Sequence, residues 1–301
     1  MPVDAAAPLP WVVQEIEAMV FHGVVDAVVG WQTSTVRQAI APFVAGRVPY
    51  VYTALYEGGE RTPGVFLTGE VPDRQVGPAI RWMADACGSR RWCIVGNDYI
   101  WPRSSGAQAR RYVSECGGTV EDEVYVPLGT KNFSGVLDRL EQACPDTTLT
   151  MLVGTDAVEF NRAFAERGLD DQSMRLSPLM DENMLAATGA EATRGICSSA
   201  GFFDSMLTIA NLDFRAAYEG RFGPSAPALN SHGESCYEGI KLLSALIEAA
   251  GSLDVGQVTA AAERVVYRAA RGELMVRGGH VEQPVYLAVA NGIEFSIITQ
   301  L

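Results

Sequence analysis

The chain has 301 residues, of which 48% are hydrophobic, and a formal net charge of −13. That length and apolar content suffice for two hydrophobic cores, since single cores stop growing at about 250–300 residues. Lys and Arg are scattered through an acidic chain that would repel a phosphate backbone, which argues against direct nucleic-acid binding. The apolar stretches are far shorter than the roughly 20 residues that span a bilayer, so no membrane insertion is expected.

The N-terminus and the cysteines predict a cytoplasmic protein. Residues 1–10 carry no positively charged start, no apolar segment typical of a signal peptide and no cysteine that could accept a lipid. The six cysteines form no C-x-x-C motif and no pairing with a nearby histidine, so we expect reduced thiols and no zinc site. They are Cys87, Cys93, Cys116, Cys144, Cys197 and Cys236.

Apolar spacing predicts strands and helices that alternate from the N-terminus to about residue 167. The predicted helices are 12–21, 36–44, 76–87, 107–116, 136–144 and 157–167. The predicted strands are 24–30, 48–54, 65–69, 92–96, 124–128 and 149–154. Such alternation favours right-handed parallel βαβ units and doubly wound α/β sheets.

The C-terminal part has a different pattern. A strand is predicted at 195–203, followed by helices at 212–222, 236–250 and 255–266. Strands are then predicted at 274–276, 283–290 and 293–298, with Asn291-Gly292 as a hairpin turn between the last two. Helices followed by a terminal β ribbon suit two lobes joined by several chain crossings.

Polar and aromatic residues follow the predicted strands, where open α/β sheets bind their ligands. Hydroxyl donors and aromatic walls of this kind can hold a small neutral solute. Each residue alone could instead be an ordinary loop residue, a plain helix cap or a packed ring. The candidates read from strand ends are Gln32, Thr33, Ser34, Tyr52, Thr53, Tyr99, Trp101 and Thr155.

Catalytic patterns are weak. The histidines His22, His232 and His280 are isolated in sequence, and the chain has no G-x-S-x-G motif, P-loop or metal-binding histidine pair. The sequence therefore predicts a protein without catalytic residues, metal or cofactor. An enzyme would need a histidine or carboxylate beside Ser34.

Four motifs resemble type I periplasmic-binding-fold proteins, in the branch of amide-sensing regulators and of urea and short-chain amide receptors of ABC transporters. They are 30–37 (Gly-Trp-Gln-Thr-Ser-Thr-Val-Arg), 56–60 (Tyr-Glu-Gly-Gly-Glu), 96–103 (Gly-Asn-Asp-Tyr-Ile-Trp-Pro-Arg) and 125–129 (Tyr-Val-Pro-Leu-Gly). The resemblance runs from about Val12 to the C-terminus and weakens after Met180. The 96–103 motif is the most specific of the four.

The resemblance implies two Rossmann-like lobes, joined by three crossings, with a ligand cleft between them. It implies lobe 1 at 1–89 plus 204–272 and lobe 2 at 90–203 plus 273–301, with the strand, helix and strand that open the family's first lobe absent here. Ser34 and its helix start are implied as contacts to a ligand carboxamide, Tyr52 as a wall and Tyr99 as the second lobe's contact. Thr155 and Phe203 are weaker carry-overs.

Binding of a short-chain amide, urea or another small neutral or zwitterionic, amino-acid-like solute is the predicted function. The reduced cysteines and the missing export signal favour a cytosolic sensor that regulates an amide or nitrile degradation operon through a protein partner. A homodimer is also among the expected assemblies. The alternative is the receptor of an ABC importer with a permease partner. That receptor would be periplasmic or at the cell surface if the true N-terminus is missing.

Overall fold

The computed structural model describes residues 1–223 and 225–301, and it is a mixed α/β structure. Its helices are α1 (Leu9–Phe21), α2 (Ser34–Val44), α3 (Val76–Ala86), α4 (Ile100–Glu115), α5 (Ser134–Ala143), α6 (Thr155–Glu166), α7 (Glu182–Thr188), α8 (Ile209–Phe222), α9 (Ser231–Ala250) and α10 (Val255–Ala262). None of the described helices is both long and apolar enough to cross a membrane.

The strands of the described residues form two sheets. They are β1 (Val28–Gly30), β2 (Tyr50–Tyr52), β3 (Val65–Leu67), β4 (Arg91–Asn97), β5 (Thr119–Val126), β6 (Thr147–Met151), β7 (Met174–Ser177), β8 (Ile196–Ala200), β9 (Val266–Ala269), β10 (Gly272–Arg277), β11 (His280–Glu282), β12 (Tyr286–Asn291) and β13 (Glu294–Gln300).

Unit 1 comprises Met1–Glu70, Thr208–Arg221 and His232–Gln283. Its sheet has the order β1-β2-β3-β11-β10-β9, in which β1, β2, β3 and β11 pair in parallel and β9 and β10 are antiparallel to their neighbours. The core of the unit joins β2 and β3 to α9 and α10 through Val51, Phe66, Leu242 and Val258. The carboxyl ends of the parallel strands β1 and β2 form the edge of the sheet at which the candidate site of this unit lies.

Unit 2 comprises Val71–Leu207, Phe222–Ser231 and Pro284–Leu301. Its sheet has the order β13-β12-β8-β7-β6-β4-β5, parallel from β8 to β5 and antiparallel at β12 and β13. Every residue of β6 is buried, as expected for a parallel strand covered on both faces. Helix α3 buries Val76, Ala79, Ile80 and Met83, the i, i+3, i+4, i+7 stripe of an amphipathic helix.

The boundaries of the two units differ from those expected at residues 89 and 272. Helix α3 belongs to unit 2, where Gly77 lies against the ring of Tyr112 in α4. Strands β10 and β11 belong to unit 1, because β10 pairs with β9 and β11 pairs with β3 at His280 and Leu67. The terminal β ribbon is therefore shared between the sheets, and only β12 and β13 extend the second one.

The predicted alternation of strands and helices is confirmed up to α6. Most ends shift by five residues or fewer, but α4 begins at Ile100, seven residues before its predicted start. The Asn291-Gly292 hairpin is also confirmed, since β12 and β13 pair antiparallel around it and Gly292 has a φ of 65°. The helix predicted at 255–266 is wrong at its end, because α10 stops at Ala262 and Val266 begins β9. Strands β7, β9 and β11 and helix α7 were not predicted.

Candidate functional site

The candidate site of unit 1 lies at the carboxyl ends of β1 and β2. These strands are parallel neighbours, and Gly30 at the end of β1 is opposite Tyr52 at the end of β2. The segments 31–34 and 53–60 therefore leave the sheet at the same edge. This is the edge at which open α/β sheets place their ligands.

Ser34 is the first residue of α2, and its hydroxyl is already bonded to a carboxylate. Its Oγ lies 2.5 Å from Oε2 of Glu57 and donates to it, since a carboxylate only accepts hydrogen bonds. Oε1 of Glu57 accepts from Arg37 at 2.7 Å and from Gln38 at 3.0 Å. One carboxylate thus connects the loop after β2 to the first turn of α2.

Arg37 is a buried cation beneath this helix start, with a side chain only 2% exposed. Its Nε lies 3.0 Å from Oε2 of Glu60, and its guanidinium stands 5.0 Å from the ring centre of Tyr52 and 4.6 Å from that of Tyr56. Burial alone would lower the pKa of Arg37, but the nearby Glu57 more than offsets this and the pKa is raised. The guanidinium therefore stays charged and holds both carboxylates in place.

The predicted residues Gln32, Tyr52 and Thr53 are buried and are bonded within unit 1. The Tyr52 hydroxyl donates to the Gln32 carbonyl at 2.8 Å, and the Gln32 side chain donates to the Tyr50 hydroxyl. Thr53 lies against α9, where its Oγ1 is 3.6 Å from Sγ of Cys236. These groups pack beneath the carboxyl ends of β1 and β2. Burial raises the pKa of Tyr52, so its side chain is a neutral phenol.

Thr33 precedes α2 in an extended conformation, with φ −66° and ψ 154°, and its side chain does not cap the helix. The first N–H groups of any α-helix have no acceptor within the helix. Ser34, whose hydroxyl oxygen can also accept a hydrogen bond, is the first residue of α2. The helix start therefore offers N–H donors and a hydroxyl acceptor side by side.

Two histidines that are isolated in sequence lie close to these segments. Nε2 of His280 is 3.0 Å from the Tyr56 hydroxyl, and the two rings stack with centroids 5.7 Å apart. The His232 ring lies 4.9 Å from that of Trp31. Neither contact could be predicted from the sequence, because the partners lie about 200 residues apart in the chain.

A separate group of predicted site residues lies at the carboxyl end of β4 in unit 2. Tyr99 precedes α4 in an extended conformation, and its ring is 6.3 Å from that of Trp101, which is 3% exposed. Asp98 and Arg103 form an exposed ion pair of 2.5 Å, and the Arg103 guanidinium stands 4.4 Å from the ring centre of Tyr125. Tyr99 and Trp101 are thus near each other, as their sequence motif requires.

A buried amide fixes the strand-end loops of unit 2. Asn97 donates to Oδ2 of Asp156 at 2.7 Å and accepts from the Val153 N–H at 2.8 Å, and the same Asp156 oxygen accepts from the Gly129 N–H at 3.0 Å. Thr155 is exposed at the start of α6. This network connects the loops that follow β4, β5 and β6.

Phe203 lies in the packed interior of unit 2. It is 1% exposed, and its ring centroid is 5.1 Å from that of Phe295 on β13. The contact gives Phe203 a packing role. Its predicted contact with a ligand stays a prediction, as do those of Tyr99, Trp101 and Thr155.

Several functional groups were not predicted as site residues. Arg37 and Glu57 lie inside the motifs 30–37 and 56–60. Their opposite charges were the available signal that the two residues could pair. Glu182 at the start of α7 gave no such signal: its Oε1 accepts from the Asp204 N–H at 2.8 Å, its Oε2 is buried without a partner, and burial raises its pKa to about 8. Across the residues described, no group of side chains is arranged to hold a metal ion.

Glu57 meets the condition that an enzyme would impose, a carboxylate beside Ser34. This carboxylate also accepts from the side chains of Arg37 and Gln38. A nucleophilic serine also needs a base held in place for proton transfer. The pair is better suited to holding the helix start in one geometry.

The family described as periplasmic binding protein matches residues 4–293. The chain belongs to this family. Among curated relatives, the Leu/Ile/Val-binding protein homolog 6 of Brucella melitensis is 25% identical over 182 residues, which cover 58% of this chain and 46% of the relative. The chain therefore spans about half the length of the curated relatives it matches.

Solved structures support the same fold. A solute-binding protein of an ABC transporter from Rhodopseudomonas palustris, in complex with 3,4-dihydroxybenzoic acid, has a TM-score of 0.87 at 22% identity and covers 100% of this chain and 85% of its own. A leucine-binding protein from Thermotoga maritima has a TM-score of 0.87 at 17% identity, covering 99% and 86%. The predicted α/β two-lobe fold of the type I periplasmic binding proteins is thereby confirmed.

These comparisons support part of what the motifs implied. They place the chain in the periplasmic binding protein family. The similar structures include a solute-binding protein of an ABC transporter and a leucine-binding protein. They give no support to the narrower amide and urea branch, to a transcriptional regulator or to a cytoplasmic location. The receptor alternative fits them better than the sensor.

Proposed function

We propose that this chain is the periplasmic solute-binding component of an ABC importer, and that the start of α2 in unit 1 binds a short amide or urea. The single observation that carries the proposal is the bond from Ser34 to Glu57 at a helix start where the backbone donors have no side-chain cap. Family membership supports the binding role, and the bond supports the choice of solute.

The ligand class follows from which atoms can donate and accept. Ser34 has one hydroxyl proton and gives it to Glu57, so its Oγ can only accept from a ligand. The N–H groups of the first turn of α2 can donate to a ligand oxygen. A carboxamide presents an N–H donor and a carbonyl acceptor, and it matches this pair.

A ligand carboxylate suits this helix start less well. It would find N–H donors, but it would also face the Glu57 carboxylate at close range, and like charges repel. The benzoate-type and branched-chain ligands named for the relatives carry such a carboxylate. We therefore expect them to bind this chain more weakly than a neutral amide of similar size.

The test is a thermal-shift titration of the purified chain with propionamide, butyramide, urea, leucine and 4-hydroxybenzoate. A ligand that binds only the folded state raises the midpoint as its concentration grows. We expect a rise with an amide or urea. A rise with leucine or 4-hydroxybenzoate alone would retain the binding role and overturn the ligand class.

Ser34→Ala tests the site, with Ser134→Ala as its matched control. Ser134 is also the first residue of a helix, α5, but it is exposed and lies in unit 2. We expect Ser34→Ala to weaken amide binding by the equivalent of about 0.5–1.5 kcal/mol, the net worth of one hydrogen bond. Equal affinity in the two variants would contradict the assignment of the ligand to this helix start.

A further inference from the structure

A buried cluster in unit 1 contains one guanidinium and three carboxyl groups. Arg271 lies between β9 and β10, Glu234 and Glu238 lie on α9, and Glu70 follows β3. The exposed fraction of the side chain is 1% for Arg271, 0% for Glu234 and Glu238, and 9% for Glu70. Water is therefore not available to solvate the charges of the two α9 carboxyl groups.

The distances show how the single cation is shared. Nε of Arg271 is 2.6 Å from Oε2 of Glu234 and 3.3 Å from Oε2 of Glu238, and its Nη1 is 3.6 Å from Oε1 of Glu70. Full ionisation would leave three negative charges against one positive charge. Burying an uncompensated charge is costly enough that such a group usually becomes neutral.

Glu234 and Glu238 are four residues apart and therefore lie on the same face of α9. Their carboxyl groups are within hydrogen-bonding reach of each other. Oε1 of Glu234 and Oε2 of Glu238 are both buried without a hydrogen-bond partner. Two ionised carboxylates only accept hydrogen bonds, so a proton must lie between them for these groups to bond.

Tyr267 and Cys236, two further titratable groups near the pair, are neutral. Tyr267 on β9 donates its hydroxyl to Oε1 of Glu238 at 3.0 Å, and burial raises the pKa of this phenol. Cys236 lies on α9 between the two glutamates, and burial raises the pKa of its thiol. Neither group supplies the positive charge that the cluster lacks.

We propose that Glu234 and Glu238 share one proton in the folded protein, so that unit 1 takes up a proton when it folds and loses stability as the solution becomes alkaline. Burial raises the pKa of both carboxyl groups, most strongly that of Glu238, while Arg271 opposes the rise. The inference does not depend on which solute the protein binds.

The sign of the effect follows from the direction of these shifts. A carboxyl whose folded pKa lies above its unfolded value, about 4.3 for Glu, stabilises fully below that unfolded value. The stabilisation is lost as the pH rises through the folded pKa. For one shared proton, the unfolding equilibrium constant increases up to about tenfold per pH unit between the two values.

The experiment is urea unfolding between pH 5.5 and 8.0 for Glu238→Gln and for Glu248→Gln, an exposed position of the same helix. Both changes are made in a Glu182→Gln background, because Glu182 in unit 2 also has a raised pKa. A glutamine at 238 can accept from Tyr267 and donate to Glu234 without a titrating proton. We expect the unfolding constant to keep its pH slope in Glu248→Gln and to lose most of it in Glu238→Gln.

Equal pH slopes in the two variants would overturn the proposal. If Glu238→Gln does not fold, Glu234→Gln replaces it under the same comparison. A direct measurement decides the matter if neither folds: protons released when the Glu182→Gln chain is unfolded by urea at pH 6.5, in weakly buffered solution with an indicator dye. Release of about one proton supports the shared proton, and release of less than about half a proton overturns it.

Discussion

The Ser34 hydroxyl donates its one proton to the Glu57 carboxylate across 2.5 Å, and the same carboxylate holds the buried guanidinium of Arg37. Glu57 therefore has a structural role in unit 1 as well as a place beside the proposed ligand. Its two roles make different predictions for stability and for binding.

Glu57→Gln is expected to destabilise unit 1 by about 1–3 kcal/mol, because Arg37 loses one of its two carboxylate partners in a buried site. Glu121→Gln is the control, since Glu121 pairs with Arg91 at 3.4 Å on the surface and such pairs are worth less than about 1 kcal/mol. Urea unfolding of both variants measures the difference. Similar stability of the two would show that Glu57 does not hold Arg37.

The buried carboxyl group of Glu182 is expected to make the stability of unit 2 depend on pH. Burial raises its pKa to about 8, so the stability it contributes is present below the normal glutamate pKa and is lost as the pH rises through 8. We expect the thermal midpoint of the wild-type chain to fall between pH 6 and 8.5 more steeply than that of Glu182→Gln. The exposed Glu159→Gln on α6 keeps the wild-type slope; a slope equal to that of Glu182→Gln would contradict the assignment.

Removal of the Arg175 side chain is expected to lower the free energy of unfolding strongly, although no carboxylate is bonded to this arginine. It is fully buried in β7, donates to Oδ1 of Asn161 at 2.8 Å and to the Ala192 carbonyl at 3.0 Å, and burial lowers its pKa to about 10. Arg175→Ala leaves these acceptors unpaired and opens a cavity, for an expected loss of about 3–5 kcal/mol.

The control for Arg175 is Arg194→Ala. Arg194 is 65% exposed and pairs with Asp171 on the surface, so its removal is expected to change the free energy of unfolding by less than about 1 kcal/mol. Calorimetric or urea unfolding of the two variants gives the comparison. A small loss in Arg175→Ala would mean that the strand reorganises around the missing side chain.

Arg175 also explains why part of the fold could not be read from the sequence. Strands β4 and β6 were predictable because runs of apolar residues mark strands buried on both faces. Strand β7 has four residues and a central arginine, so its pattern resembles a loop. The carbonyl groups that accept hydrogen bonds from this arginine belong to residues distant in the sequence, so no local pattern predicts them.

The candidate site was predictable to a similar extent. Strand ends led to the prediction of Ser34 and Tyr52 in unit 1 and of Tyr99 in unit 2, because open α/β sheets bind ligands at the carboxyl ends of their strands. The partners of Ser34 are not periodic with it: Glu57 lies 23 residues away in a loop. The shared face of Glu234 and Glu238 follows from helical spacing, but the arginine that they share lies 37 residues beyond Glu234.

Two helix glycines give a matched pair for packing. A Cβ at Gly239 in α9 would overlap Cγ2 of Thr53 and lie 3.1 Å from Cγ1 of Val29, whereas nothing lies within 4 Å of one at Gly220 in α8. Alanine favours a helix over glycine by about 1 kcal/mol. We expect Gly220→Ala to be neutral or stabilising.

Gly239→Ala is expected to destabilise unit 1 by about 1–3 kcal/mol despite the same helix preference, because the added methyl group overpacks the contact with β2. Thermal unfolding of the two variants tests this difference in sign. A stabilised Gly239→Ala would show that α9 can move away from the sheet without cost.

The assembly of each unit from separate chain segments has a consequence for biosynthesis. Strands β9 to β11 complete the sheet of unit 1 and end at Glu282, and β12 pairs with β8 across more than 80 residues of sequence. During translation, the sheet of unit 1 cannot be completed before β11 has been synthesised, and that of unit 2 cannot be completed before β12 and β13. Until then the strands already made have unpaired edges, and exposed edges of this kind are prone to aggregation.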